Sequence, residues 1–260
     1  MTKFVPLNPT DHAGKKWVRN ENYGFAARDA VVPLVANELS AAASEFPIGF
    51  IRDGAALTLA ALLSFKPNEN IFVGPDGKWL GTHVPLALRS NPFRLLRRSN
   101  QPGMVLCVDE DSDCIGTDAK GEALFDTSGS PTQPVKEVLQ FLERFEFLRR
   151  ATDSAVAALS EAAVIVPWSI SVVGPNQPQM SVDGAYRIDE AALNKLDDEA
   201  FLKLRKARAL PIAFVQLFSM QQTKKLGQMA QVQDRLRVQA TEHQRMLHEM
   251  FKLDDGTIPL

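Results

Sequence analysis

Residues 46–125 alternate short apolar runs with Gly, Pro, Asn and Asp, and the runs at 46–51, 57–65, 71–73, 93–96, 104–108 and 123–125 predict strands. Gly74-Pro75-Asp76-Gly77, just ahead of Trp79, reads as a reversing turn. Proline presets φ there, and glycine takes the positive φ that the reversal needs. No strand–helix–strand alternation interrupts these runs. The pattern therefore predicts an antiparallel meander and disfavours a doubly wound parallel sheet.

Elsewhere the apolar period lengthens. Val31, Leu34, Val35 and Leu39 share a stripe over residues 30–43, with Pro33 suited to a first turn, so a helix is expected. After Pro134, Val135, Val138, Leu139, Leu142, Phe145 and Leu148 recur at threes and fours, an amphipathic helix. Thr152 is expected to cap a second helix over Ala155, Val156 and Leu159. Residues 164–173 and 180–188 read as strands around Gly174-Pro175-Asn176, returning to the sheet so that the two halves interleave. Asp189 caps a helix over Leu193 and Leu196, Asp197 or Asp198 starts another, and Pro211 opens a longer one.

Residues 226–251 form the longest helical candidate. Met229, Val232, Leu236, His243, Leu247 and Met250 make a narrow seam on it, interrupted by His243. Either this helix folds back on its own domain, or the seam docks a protein partner or a second copy of the chain. The expected whole is an α+β fold. Its antiparallel sheet is built mainly from the first half, with helices packed on it and a long C-terminal helix. The expected divisions are an extended leader over 1–22 that docks Trp17, one domain over 23–228, and a helical extension over 229–260.

Composition narrows the function. Of 260 residues 45% are apolar and 23% charged, an ordinary globular balance. Lys and Arg number 29 against 31 acids, and this net charge of -2 argues against a nucleic-acid partner, which would need a basic excess. The longest apolar runs, 55–63 and 162–166, fall short of the roughly 20 residues a spanning helix requires. The first 16 residues lack the charged start and apolar stretch of a secretory signal, so a cytoplasmic location is expected. Export to the surface by a route that hydropathy does not register stays open. Cys107 and Cys114 match no zinc or redox spacing and read as small core residues.

The chemistry-bearing motifs are few. Asp109, Asp111 and Asp113 occupy positions 1, 3 and 5 of a calcium-loop template. Cys114 then stands where glycine is needed and Lys120 where a bidentate glutamate should close the site. Arg89, Arg94, Arg97 and Arg98 gather around Phe93, a pattern that can fork onto a carboxylate or phosphate, or pair with the acidic run. None of His12, His83, His243 and His248 forms a helical metal pair, and His83 needs an unseen partner to serve as a base. Nucleophile elbows, P-loops and dinucleotide fingerprints are missing, so no cofactor and no metal are expected.

Read in order, several segments resemble the SapC family of bacterial proteins. They begin with Tyr23-Gly24-Phe25-Ala26, Glu38 and Phe46-Pro47-Ile48-Gly49-Phe50. Asn70-Ile71-Phe72-Val73, Asp76-Gly77-Lys78-Trp79, Val84-Pro85, Arg89 and Asn91-Pro92-Phe93 follow. Cys107-Val108-Asp109-Glu110-Asp111-Ser112, Asp183-Gly184-Ala185-Tyr186 and the helix around Ser219 complete the series. The resemblance spans residues 23–226. It implies a link to a surface layer and carries over no catalytic residue.

The expectation is a non-enzymatic accessory or binding protein acting through a protein-interaction surface, with Arg89, Arg94, Arg97, Asp109, Glu110 and Asp111 as candidate ligand contacts. An enzyme or enzyme partner acting on a peptide or small anionic metabolite is the first alternative. It requires those carboxylates and Arg94 or Arg97 to converge on one concavity. A surface-layer structural protein is the second.

Overall fold

The computed structural model describes residues 3–19, 22–97, 103–117, 120–172, 180–182 and 184–254. The chain opens with β1 (Phe4–Pro6), a short helix α1 (Pro9–His12) and β2 (Lys16–Trp17). Next come β3 (Val31–Pro33), α2 (Leu39–Ala42) and the hairpin of β4 (Ile48–Asp53) with β5 (Ala56–Leu62). A second hairpin joins β6 (Phe93–Arg97) to β7 (Met104–Asp109), followed by β8 (Ile115–Gly116) and β9 (Glu122–Ala123). Helix α3 (Gln133–Glu161) then leads to β10 (Ile165–Pro167), β11 (Ile170–Val172), β12 (Met180–Val182) and β13 (Ala185–Ile188). Four helices close the chain: α4 (Glu190–Asn194), α5 (Asp198–Lys206), α6 (Leu210–Ser219) and α7 (Gln222–Asp254).

All described strand pairs are antiparallel. The main sheet runs β10-β13-β4-β5-β3, so late strands do join the early hairpin. Smaller sheets run β1-β7-β6 and β8-β2-β9, and β11 pairs with β12. Phe50, Leu59, Leu62, Leu159 and Ile212 sit in a core built on the main sheet. Trp17, Phe93, Val108, Leu124, Val135 and Leu142 form a second core on the smaller sheets. Helix α3 serves both. Its first half gives Val135 and Leu142 to the second core, and its second half gives Ala155, Val156 and Leu159 to the first.

Backbone groups between helix and sheet are satisfied by side chains. Gln216 of α6, fully buried, donates to the Ile48 carbonyl at 3.1 Å and accepts from the Ile188 amide at 2.9 Å. It thereby pins β4 and β13 to one helix. Gly49 lies beside it on β4, where a Cβ would stand 3.4 Å from the Trp168 ring. The missing side chain leaves room for the indole and for the Tyr186 carbonyl, 3.2 Å from the same point.

Two expectations about helices fail. Residues 31–33 are an edge strand rather than part of a helix, with Val31 opposite Leu62. Two β-branched residues favour the extended form, and Pro33 is tolerated because an edge strand can spare one donor. Thr152 caps nothing, because α3 runs unbroken through it. Its hydroxyl donates to the Leu148 carbonyl one turn back and accepts from the Ala36 amide.

The run at 71–73 forms only a bridge, Val73 to Trp79, across the Gly74–Gly77 turn, where Gly77 adopts φ 79°. The turn expected at 174–176 lies outside the described residues. Asp189 and Asp197 cap α4 and α5 as expected, each accepting from backbone amides of the first turn.

Helix α7 packs on its own domain at its start. Leu226 is buried, Met229 and Ala230 rest against the main core, and buried Gln233 donates to the Ile71 carbonyl. Val232 faces outward. The side chains of Leu236, His243, Leu247 and Met250 lie outside the described ones, so only the near end of the expected seam is visible. No helix among the described residues is long and apolar enough to cross a membrane.

Candidate functional site: a groove along helix α3

The arginines singled out around Phe93 do not form one cluster. Arg89 follows a 3-10 turn at Leu86–Leu88, and its Nε donates to the Val84 carbonyl. Arg94 lies on β6, where its guanidinium covers the Phe4 ring at 4.6 Å. Arg97 is exposed at the end of β6, and Arg98 lies outside the described residues.

Arg89 and Arg94 line neighbouring hollows on α3. The first, of about 300 Å³, is bounded by Trp17, Arg19, Arg89, Asn91, Glu137, Val138 and Phe141. The second, of about 360 Å³, is bounded by Asp29, Val32, Leu88, Arg94, Leu95, Leu142, Phe145, Glu146 and Arg149. Ser90 lines both, so the two hollows are stretches of one groove. One wall is α3. The other is the segment from Ala87 to Leu95, and the floor of the second stretch is apolar.

Two charges in that stretch, exposed Arg94 and half-buried Asp29, are not bonded to an opposite charge. Arg94 forms no ion pair with any described carboxylate, and half-buried Asp29 accepts no described hydrogen bond. Loss of water pushes the Asp29 carboxyl above its ordinary value, and the positive field of Arg94 only partly opposes this. Arg149 contrasts with both. It forks onto Glu146 at 2.7 and 2.8 Å and reaches Asp153 at 2.7 Å. That fork holds Glu146 below the usual carboxylate range, against the effect of burial.

A raised carboxyl pKa costs stability wherever the group must ionise. This contribution is harmless below the ordinary value of about 4 and grows as pH climbs through the raised one. Asp29→Asn should therefore raise the melting temperature at pH 7 by about 1–2 °C, a small shift because the site is partly solvated. The gain should vanish near pH 3, and scanning calorimetry at both values checks it.

The groove's wall is held by a polar cluster that sequence reasoning only half anticipated. Buried Glu38 accepts from the Val35 amide at 3.1 Å, from the Leu86 amide at 2.8 Å and meets His83 Nε2 at 3.0 Å. Buried Glu45 accepts from the Thr82 amide, the Thr82 hydroxyl and the His83 amide. Trp79 donates to the His83 carbonyl at 2.9 Å. His83 thus has its partner, yet the arrangement works as a clamp that sets where Leu86 begins the wall.

The acidic run is elsewhere. Asp109 is buried and accepts from the Asp111 amide, while Glu110 meets Lys3, Lys15 and His12 at 3.4, 3.4 and 3.5 Å. Despite some loss of water, the two lysines hold Glu110 below its ordinary range. Neither stretch of the groove is lined by Asp109, Glu110 or Asp111. The convergence that acid–base chemistry would need is therefore not built there. Cys107 and Cys114 are buried free thiols. Among the described residues, no three His, Cys, Asp or Glu side chains converge as metal ligands.

Asp29, Glu146 and Arg149 escaped sequence reasoning. A single acid before a strand, or an ordinary charged turn of a helix, leaves no local signature. No curated protein and no solved structure matches this chain. The family model SapC matches residues 7–226, from just after β1 into the start of α7, and the chain therefore belongs to the SapC family.

Proposed function

We propose that this protein is a non-enzymatic accessory protein whose groove along α3 captures an extended segment of a partner protein. The observation that carries the reading is the pair of Arg94 and Asp29 facing an apolar hollow, neither bonded to an opposite charge. Arg94 is exposed and half-buried Asp29 is short of donors, so a bound chain can supply a carboxylate or carbonyl to the first and an N–H or ammonium to the second. The shape agrees, since an elongated hollow with an apolar floor and polar rims suits a peptide.

A photo-crosslinking amino acid at Phe145, used in the native cell, tests this. The expected result is a discrete adduct whose mapped peptide lies against α3, lost when Arg94→Glu is added. Failure to form an adduct, or an adduct indifferent to Arg94→Glu, overturns the reading.

A further inference from the structure

The groove continues past Arg149. A third hollow of about 390 Å³ lies between the β4–β5 hairpin and the second half of α3, and Arg149 lines both it and its neighbour. From Glu137 to Glu161 the helical wall is about 36 Å long at about 1.5 Å per residue. That length accommodates about ten or eleven residues of extended chain at about 3.3 Å each.

Charge along this groove is not mixed evenly. At the end near the start of α3, Arg19 pairs with Glu122 and Glu137, at 3.2 and 3.5 Å, which leaves the exposed Arg89 without an ion pair among the described residues. In the middle, Asp29 and Glu146 balance Arg94 and Arg149 over the apolar floor. At the far end Asp53, Asp153 and Glu161 face Arg149 alone. Asp153 is held by Arg149, while the exposed Asp53 and Glu161 have no ion pair among the described residues. Burial, followed by the competing fields of Arg149 and then Glu146 and Asp53, leaves the Asp153 carboxyl above its ordinary value. Loss of water leads that shift, and the neighbouring acids add to it, so a cation arriving here relieves repulsion.

We infer that the partner segment carries opposite charges at its two ends: a stretch of about ten residues with acidic side chains at one end, an apolar middle and basic side chains at the other. The acidic end lies by Arg89, and the basic end lies between the β4–β5 turn and Glu161. This rests on the groove reading above and adds to it the charge order of the occupant. Charge complementarity of this kind chooses among segments by rejecting those with the wrong sign at either end.

The test uses three fluorescein-labelled ten-residue peptides with the same leucine- and phenylalanine-containing middle. One is acidic at one end and basic at the other, one is acidic at both, and one is basic at both. Binding to the full-length protein is read by fluorescence anisotropy. The mixed peptide should bind about tenfold more tightly than either uniform one, and the advantage should shrink in high salt. Arg89→Glu should shift preference to the peptide basic at both ends. The double change Asp53→Lys and Glu161→Lys should shift it to the peptide acidic at both ends. These positions are exposed, and unchanged melting temperatures confirm that each variant folds.

Equal affinity for all three peptides, or no switch in either variant, overturns the charge order. If binding is then still lost in Arg94→Glu, the groove itself stands. If no peptide binds and the cellular adduct is also absent, both ideas fall.

Discussion

Glu38→Ala should lower the stability of the protein by about 3–5 kcal/mol, the largest effect expected of any single polar substitution described above. The buried carboxylate serves three donors at once: the Val35 amide, the Leu86 amide and His83. Truncation leaves two backbone N–H groups and an imidazole without their acceptor in a place water reaches poorly. Urea unfolding followed by circular dichroism measures the loss. Glu38→Gln retains an acceptor oxygen and should cost about half as much. The consequence extends to the groove, since the Leu86 amide begins the 3-10 turn that carries Leu88 and precedes Arg89. Under conditions where Glu38→Ala remains folded, its affinity for the mixed-charge peptide should also fall. A cost below about 1 kcal/mol would mean that the clamp contributes no more than one ordinary hydrogen bond.

Gln216→Leu is expected to cost about 3 kcal/mol although it keeps the residue's bulk. A substitution that looks apolar and harmless on a helix strips the Ile188 amide of its acceptor and the Ile48 carbonyl of its closest donor. The Ser219 hydroxyl stays near that carbonyl, at 3.5 Å, and recovers little. Both orphaned groups lie where β13 and β4 meet α6, so the loss should appear as a lower denaturation midpoint with an unchanged slope. Retained stability would show that water or a shifted Ser219 replaces the amide.

The β4–β5 and β6–β7 hairpins could be read directly, because alternation and turn residues act over a few positions. The caps at Asp189 and Asp197 were equally local. The stripe through Val31, Leu34, Val35 and Leu39 misled because four apolar residues at those intervals also suit a strand followed by tight turns. Thr152 misled because a threonine that hydrogen-bonds one turn back within a helix looks, in sequence, like one that begins a helix.

The groove divided in the same way. Arg89 and Arg94 could be named from their crowding around Phe93, but crowding did not reveal that they line successive stretches of one hollow. The acids 109–111 drew attention by density, yet Glu110 meets two lysines and a histidine, and Asp109 is buried at the end of β7. Asp29 and Arg149 are more than a hundred positions apart in sequence and share one hollow only after folding. Their adjacency belongs to the topology. No short-range pattern encodes it.

Helix α3 is the common member of both hydrophobic centres, and this bears on how a receptor of this shape would behave. A wall anchored in two places cannot swing aside to admit a visitor without disturbing both. The α3 side of the groove is therefore fixed before any partner arrives, and ordering on association would fall mainly on the incoming chain. Such a receptor discriminates by fit and sign, and its complexes should differ mainly in how long they last rather than in how quickly they form.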